Sequence, residues 1–329
     1  MTTLSTNTLN IADILRRTRP DGTVGLIAEL LSEDRGLIND MTWVEGDLPN
    51  GHLSQSRTSL PTFAIRNPNG STAPSKSTTN QSTEAPQYIE SFLEVDQLVA
   101  RYGGDIESKI ASELPAFKES AMQKVADAVV YGNGLTTPGQ ITGIMPRFAD
   151  TTATNGSHVI LGGSLAGQTD NMSILLLNHA PGMFYGFYPK GSTGGLEIKD
   201  WGDQIVESSS NRFVARRVQW LQAFGIAIDD WRAVTRIGNI DLSLLIAGTG
   251  ADLFDKLIMA VNTQRRFNGR KAIYMNSTTM MMLEIQARND VQAGGQLSYA
   301  TVTGQQIPTF QGIPINVEDT LTEAETRIT

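Results

Sequence analysis

Cysteine is missing from the whole chain, which rules out disulfides, thiolate zinc sites and a cysteine nucleophile. Histidine is almost as scarce. The three present, His52, His158 and His179, lie far apart with no carboxylate at the spacing of a helix or tight-loop ligand set. No metal site is expected, and each histidine reads as a surface or satisfied core residue. Positive charge is short as well: 26 Lys and Arg stand against 34 Asp and Glu, a formal net charge of -8. A protein built to grip phosphates draws most of that affinity from Lys and Arg, so contact with nucleic acid should be loose. No stretch approaches the ~18 apolar residues of a membrane span, and residues 1–10 lack an apolar signal core. A phosphate-cradling Gly-Lys-Ser/Thr is absent too, since Lys190 precedes Gly191.

What remains is an ordinary globular composition with an unusually neutral surface. Apolar residues make up 40% before the 31 glycines are added, enough for a sizeable core in a chain of 329 residues. Charged residues make up only 18%, below the roughly 25% of typical soluble domains, and Ser, Thr, Asn and Gln fill the gap. Such a surface loses less on desolvation than a Lys/Glu surface, which suits repeated subunit contacts.

Along the chain, Ile11–Arg17 and Val24–Leu31 form two short amphipathic pieces separated by the turn signal Pro20-Asp21-Gly22, the pattern of an arm. Met41–Asp47 reads as a strand, Pro49-Asn50-Gly51 as a tight hairpin turn, and Phe63 and Ile65 as alternating residues on the return. Fourteen of the twenty residues from Asn67 to Pro86 are Pro, Ser, Thr or Asn, so this stretch cannot bury a core by itself. A long helix is predicted over Asp105–Tyr131, where Ile106, Ile110, Leu114, Phe117, Ala121, Val125 and Ala128 recur at spacings of four and three. Pro115 should kink or split it. Strands are predicted at Ser173–Asn178, Gly182–Tyr188, Arg212–Ile228, Lys271–Met275 and Ile313–Val317, and helices at Ala251–Arg266 and Thr278–Gln286. Within Arg212–Ile228, Val214, Val218, Trp220, Phe224, Ile226 and Ile228 share one face, with Gly225 a bulge or bend. The class is α+β.

Motifs for chemistry fail one by one. Gly162-Gly163-Ser164-Leu165-Ala166 lacks the second flanking glycine of a nucleophile elbow and reads as a flexible loop. Gly248-Thr249-Gly250-Ala251-Asp252-Leu253 lacks the third glycine of a dinucleotide loop and reads as helix-start punctuation. Asp229 and Asp230 would face opposite sides of a strand and cannot share a proton, which leaves a cap or turn role. Met280-Met281-Met282 reads as core filler. No catalytic residue and no cofactor is assigned.

Several blocks, ordered along almost the whole chain, carry a resemblance. They are Trp43-Val44-Glu45-Gly46-Asp47-Leu48-Pro49-Asn50-Gly51-His52, Pro74-Ser75-Lys76-Ser77-Thr78-Thr79, Tyr131-Gly132-Asn133 and Tyr188-Pro189-Lys190-Gly191. Asp230-Trp231-Arg232 leads through Arg236-Ile237 to Asn239-Ile240-Asp241, and Phe310-Gln311-Gly312-Ile313-Pro314-Ile315 closes the series. The chain resembles the major capsid proteins of tailed bacteriophages, in the group that includes several short-tailed phages.

The resemblance implies the tailed-phage and herpesvirus capsid fold, the Hong Kong ninety-seven fold. Its parts would be an N-terminal arm (1–40), an extended β-hairpin loop (41–90), a peripheral domain with a spine helix (91–240) and an axial domain with a closing strand (241–329). It implies a virion shell of hexamers and pentamers enclosing double-stranded DNA, assembled in the host bacterial cytoplasm with a portal, a separate scaffolding protein and a decoration or cement protein. An encapsulin-like cellular cage of the same fold is the alternative, and an unrecognised soluble hydrolase the third reading. Trp43, Phe63, Ile65 and Lys76 are the candidate inter-subunit contacts. Some relatives of this fold join a loop lysine to a neighbour's asparagine, yet Lys76, the only lysine between Met41 and Glu90, sits among Ser75, Ser77, Thr78 and Thr79. That setting lacks the desolvation a neutral, nucleophilic amine requires, so no covalent cross-link is expected.

Overall fold

A computed structural model of the chain describes residues 33–100, 106–164, 168–208, 211–264, 269–289, 297–302 and 305–328. In chain order the first elements are α1 (Gly36–Asp40), β1 (Trp43–Glu45), β2 (His52–Ser59), β3 (Thr78–Glu84), β4 (Gln87–Asp96), α2 (Gln97–Ala100) and α3 (Ile106–Tyr131). There follow α4 (Ile144–Arg147), β5 (Val159–Leu161), β6 (Asn171–His179), β7 (Phe184–Tyr188), β8 (Glu197–Ser208), β9 (Asn211–Ile228) and β10 (Val234–Asp241). The last are α5 (Leu242–Ile246), α6 (Leu253–Thr263), β11 (Arg270–Met275), α7 (Ser277–Asn289), β12 (Leu297–Val302), β13 (Gln305–Phe310) and β14 (Ile313–Val317). The amphipathic pieces read at Ile11–Arg17 and Val24–Leu31 lie outside the described residues, and so does part of the loop read at Gly162–Ala166.

The chain divides into two compact units. One is built on Gln87–Val125 and Thr193–Phe224. Its sheet has β9 at the centre, antiparallel to β4 on one side and to β8 on the other. Leu93, Val95, Val218 and Trp220 form its buried face, and the helical stripe Ile106, Ile110, Leu114 and Phe117 packs against them. Phe117 stacks on Trp220 at 5.0 Å between centroids. The shared parity in β9 therefore marks a buried face where α3 lies, whereas Val214, beyond that stretch, is exposed beside the still more exposed Ile205.

The break expected at Pro115 does not occur. The helix runs through it for 26 residues, from Ile106 to Tyr131. Proline inside a helix costs about 3 kcal/mol, while fully burying a Leu or Phe side chain contributes ~1.5–3 kcal/mol, and the four partly buried side chains of the stripe each contribute a share of that. Leu114 and Phe117 flank the proline and are both held against the sheet, so packing carries the helix across the missing hydrogen bond.

The second unit comprises Asp34–Pro86, Ala126–Ser192 and Gly225–Thr329. Its strands run in the order β12-β13-β14-β11-β6-β7, with β10 pairing β5 and β6, and β1 pairing β7. Every residue of β6 and of β10 is buried, which explains why neither alternates in sequence. Met172, Ile174 and Leu176 of β6 share one core with Ile237 and Ile240 of β10, with Leu253, Phe254 and Leu257 of α6, and with Met280 and Leu283 of α7. Asp252 caps α6 by accepting from the Phe254 and Asp255 amides, so Gly248–Leu253 is helix-start punctuation. Met280 is core filler as read, but Met281 is half exposed.

Gly225 is not a bulge. The register of β7 against β9 runs regularly through it, and its role is space: a Cβ there would lie 2.4 Å from Cζ of Phe187. The C-terminal segment is sewn onto the same core. Asn239, in the left-handed region at φ 58°, donates to the Ile328 carbonyl at 2.8 Å and accepts from the Ile328 amide at 2.7 Å. Arg236 reaches Glu325 at 2.8 Å with both side chains almost fully buried.

Candidate assembly surfaces

The Pro49-Asn50 turn forms, with Leu48 and Gly51 bridged across it, but it does not join a hairpin of Met41–Asp47 with a returning Phe63–Ile65 strand. β1 pairs in parallel with β7, and β2 pairs antiparallel with β3. Apolar content decides this. Val44 packs beside Tyr185, Phe187 and Ala227, and the Trp43 ring lies over Gly186, where a Cβ would meet it at 2.6 Å. β1 is thereby drawn into the sheet of the second unit, and Trp43 is half-buried within its own subunit. β2 and β3, nearly all Ser, Thr, Gln and Asn, are left to each other.

The hairpin that results is β2–β3, and residues 60–77 connect its strands. Hydroxyls hold the outer end: Thr58 Oγ1 lies 2.8 Å and Ser59 Oγ 2.6 Å from Thr78 Oγ1, and the Thr62 amide donates to Ser75 Oγ at 2.6 Å. The connection turns at Asn67-Pro68-Asn69-Gly70, where the Gly70 amide reaches the Asn67 carbonyl at 3.0 Å and Asn69 takes φ 66°, the geometry of a type II turn. Phe63 and Ile65 sit in this connection, 97% and 102% exposed, with Leu60 at 75%. Lys76 is exposed in the same segment.

The root of the hairpin is anchored differently. His52 and Glu84 are opposite one another across β2 and β3. His52 is buried, with Nε2 2.7 Å from the Tyr185 hydroxyl, and that hydroxyl donates to Asp229 Oδ2 at 2.8 Å. Burial, then the facing Asp229 carboxylate, pushes the Tyr185 phenol up. Glu84 is held by both Arg147 Nη atoms, at 2.8 and 2.7 Å. Arg147 in turn is fixed by Nε donating to the Thr142 carbonyl at 2.9 Å.

The other two histidines are buried in the core, His158 hydrogen-bonded and His179 bonded at one ring nitrogen, with its Nδ1 left without a partner among the described residues. His158 Nδ1 lies 3.1 Å from the Val234 carbonyl and 3.0 Å from Thr235 Oγ1, and His179 Nε2 lies 2.7 Å from the Tyr274 hydroxyl. Asp230 caps the turn Trp231–Ala233 through the Arg232 amide, and Asp229 serves Tyr185. Among the described residues no group of three or more metal-binding side chains converges, and no helix is long and apolar enough to cross a membrane.

A family model described as major capsid protein GP7 matches residues 19–329. The chain belongs to that family. It is a structural subunit of a phage capsid shell, and self-association is its function. The solved structure of bacteriophage epsilon15 is 24% identical, covers 100% of this chain and 99% of that chain, and superposes with a TM-score of 0.78. The bacteriophage JBD30 capsid, 12% identical, covers 88% of this chain and 92% of that chain with a TM-score of 0.50. Both share the tailed-phage capsid fold that the motif blocks implied. No curated protein matches the chain.

Sequence reasoning singled out Phe63, Ile65, Lys76 and Trp43 as contact candidates and did not single out the root. His52 stood inside a motif block, yet Tyr185, Arg147 and Glu84 are 133, 63 and 63 residues from their partners, and no local spacing encodes such pairs.

Proposed function

We propose that the subunit builds a closed icosahedral shell of hexamers and pentamers around a double-stranded DNA genome, and that the β2–β3 hairpin reaches across onto a neighbouring copy. One observation carries this: Phe63 and Ile65 are fully exposed, with Leu60 exposed nearby, on a hairpin whose strands are mostly polar. Burying both would contribute about 3–6 kcal/mol, and a lone two-stranded hairpin is at best marginal without such cover. The unit around α3 fits the peripheral domain of the fold and the larger unit its axial domain, with the hairpin as the extended loop. Assembly in the host cytoplasm with a separate scaffold, a portal and a cement protein follows from the same family reading. The net charge of -8 supports only loose contact with the packaged DNA.

The test replaces both apolar residues, Phe63→Ser and Ile65→Ser. Shells seen by negative-stain microscopy should be lost in co-expression with scaffold, while the melting temperature of the unassembled subunit stays within about 2 °C of the parent, because exposed residues contribute little to the monomer. Normal shells, or a large loss of monomer stability, would overturn the contact reading.

A further inference from the structure

Two polar anchors that tie the hairpin to the rest of its unit lie at one rung. His52 and Glu84 form the last cross-strand pair of β2–β3 at the unit's surface, and each is fixed to a different element. His52 is pinned to β7 by the Tyr185 hydroxyl at 2.7 Å and rests against the Phe187 ring at 5.3 Å. Glu84 is pinned at the end of α4 by the two-pronged Arg147 bond at 2.8 and 2.7 Å. Gly51 completes the joint: a Cβ there would stand 2.7 Å from the Glu84 carbonyl oxygen, so no larger residue allows the strands this close. Outward from the rung, only Ser54 is buried, and β3 from Thr78 to Thr83 is exposed.

Two anchors on opposite strands remove the two ways a hairpin can swing. One anchor leaves rotation about itself; a second, in another direction, stops it. A bidentate guanidinium–carboxylate pair fixes orientation as well as distance, which a single hydrogen bond does not. We propose that the His52–Glu84 rung, clamped by Tyr185 with Asp229 and by Arg147, is the lock that sets the direction of the β2–β3 hairpin, so that opening either clamp frees the hairpin to pivot while the unit stays folded. Its consequence for assembly rests on the reading that the hairpin contacts a neighbour; the lock itself does not. A lever whose far end must land on another subunit gains from a fixed direction, because less orientational freedom is lost on contact.

The absence of cysteine allows a clean measurement on the full-length unassembled subunit. Spin labels at Arg57→Cys on β2 and Thr154→Cys on the exposed loop before β5 report hairpin direction as a distance distribution. The parent pair should give one narrow distribution, and Arg147→Met and Glu84→Gln should each broaden it at least twofold, with Tyr185→Phe doing so to a smaller degree. Amide exchange in β6 and β10 should be unchanged in all three, which separates a freed hairpin from a loosened unit. If the Arg147 variant does not fold, Glu84→Gln alone decides, since it keeps the shape and removes the charge. An unchanged distribution in Glu84→Gln, or broadening accompanied by faster exchange throughout β6 and β10, overturns the lock. Failure of the Phe63/Ile65 assembly test would leave this measurement unaffected, so the two readings fail separately.

Discussion

Replacing Arg236 with methionine should destabilise the larger unit severely, and the structure says by how much. The side chain is 5% exposed and that of its partner Glu325 is 3% exposed. Arg236 donates from Nη2 to Glu325 Oε2 at 2.8 Å, from Nε to Ser173 Oγ at 3.1 Å, and from Nη1 to the Phe148 and Met145 carbonyls at 3.0 and 3.2 Å. Methionine fills the stem but makes none of these bonds. The Glu325 carboxylate keeps the hydroxyls of Tyr131 and Ser173, yet loses the one cation paired with it among the described residues. Removing one member of a buried pair costs about 3–5 kcal/mol, because an uncompensated charge is left behind. The isolated value of the pair against apolar residues is far smaller, and can even be negative. A double-mutant cycle therefore discriminates. Arg236→Met should lose about 4 kcal/mol, and adding Glu325→Gln should recover at least ~1 kcal/mol relative to the sum of the single changes, since the stranded charge disappears. Urea unfolding of the unassembled subunit followed by circular dichroism measures both. A loss below about 1 kcal/mol for Arg236→Met, or strict additivity in the cycle, would refute the argument that charge burial dominates this site.

Three further outcomes follow from other parts of the fold. Gly225→Ala puts a methyl 2.4 Å from the Phe187 ring and should cost about 1–3 kcal/mol by overpacking, with Phe187→Leu in the same chain restoring most of it; no loss would mean the ring moves freely. His179 is buried, and burial, partly opposed by the Asp40 carboxylate, pushes its imidazole down to about 4. The unfolded chain takes up a proton near the ordinary 6.5 while the folded chain does not, so stability is lost as pH falls from about 6.5 toward 4, by up to ~3 kcal/mol. His179→Gln should flatten that part of the stability profile relative to the parent, and identical slopes in the two proteins would count against it. Finally, mature particles boiled in detergent should run as one band near the 35.7 kDa subunit mass, because Lys76 stands among Ser75, Ser77, Thr78 and Thr79 with no apolar neighbour in sequence; a ladder abolished by Lys76→Arg would refute this.

Legibility in the sequence followed apolar periodicity. The α3 stripe and the β9 parity each predicted a buried face, and Phe117 from one list stacks on Trp220 from the other. β14 was read at its observed ends, Ile313–Val317. The errors occurred where the deciding contact is long-range. Pro115 argued locally for a break, and the packing of Leu114 and Phe117 overrode it. Gly225 looked like a bend, but it answers to Phe187, a residue 38 positions away across the β7–β9 pair. Likewise Asn239 and Arg236, quoted only as motif letters, hold the C-terminal segment at Ile328 and Glu325.

The hairpin is a different kind of case, and it bears on what such reasoning can reach. Strand reading works because a buried face must be apolar on alternate residues, and burial is normally supplied by the same chain. β2 and β3 have no such face, since Thr, Ser, Asn and Gln occupy both sides. Their pairing rests on backbone bonds and hydroxyls, whereas alternation alone assigns the return strand to Phe63 and Ile65. Within one subunit that inference fails, as both side chains stand in water. Leaving two large side chains uncovered forgoes about 3–6 kcal/mol, comparable to much of a domain's net stability of ~5–15 kcal/mol. On the proposed reading the missing cover lies on another copy, and loss of shells in the Phe63→Ser/Ile65→Ser variant is the result that separates this from two side chains left in water.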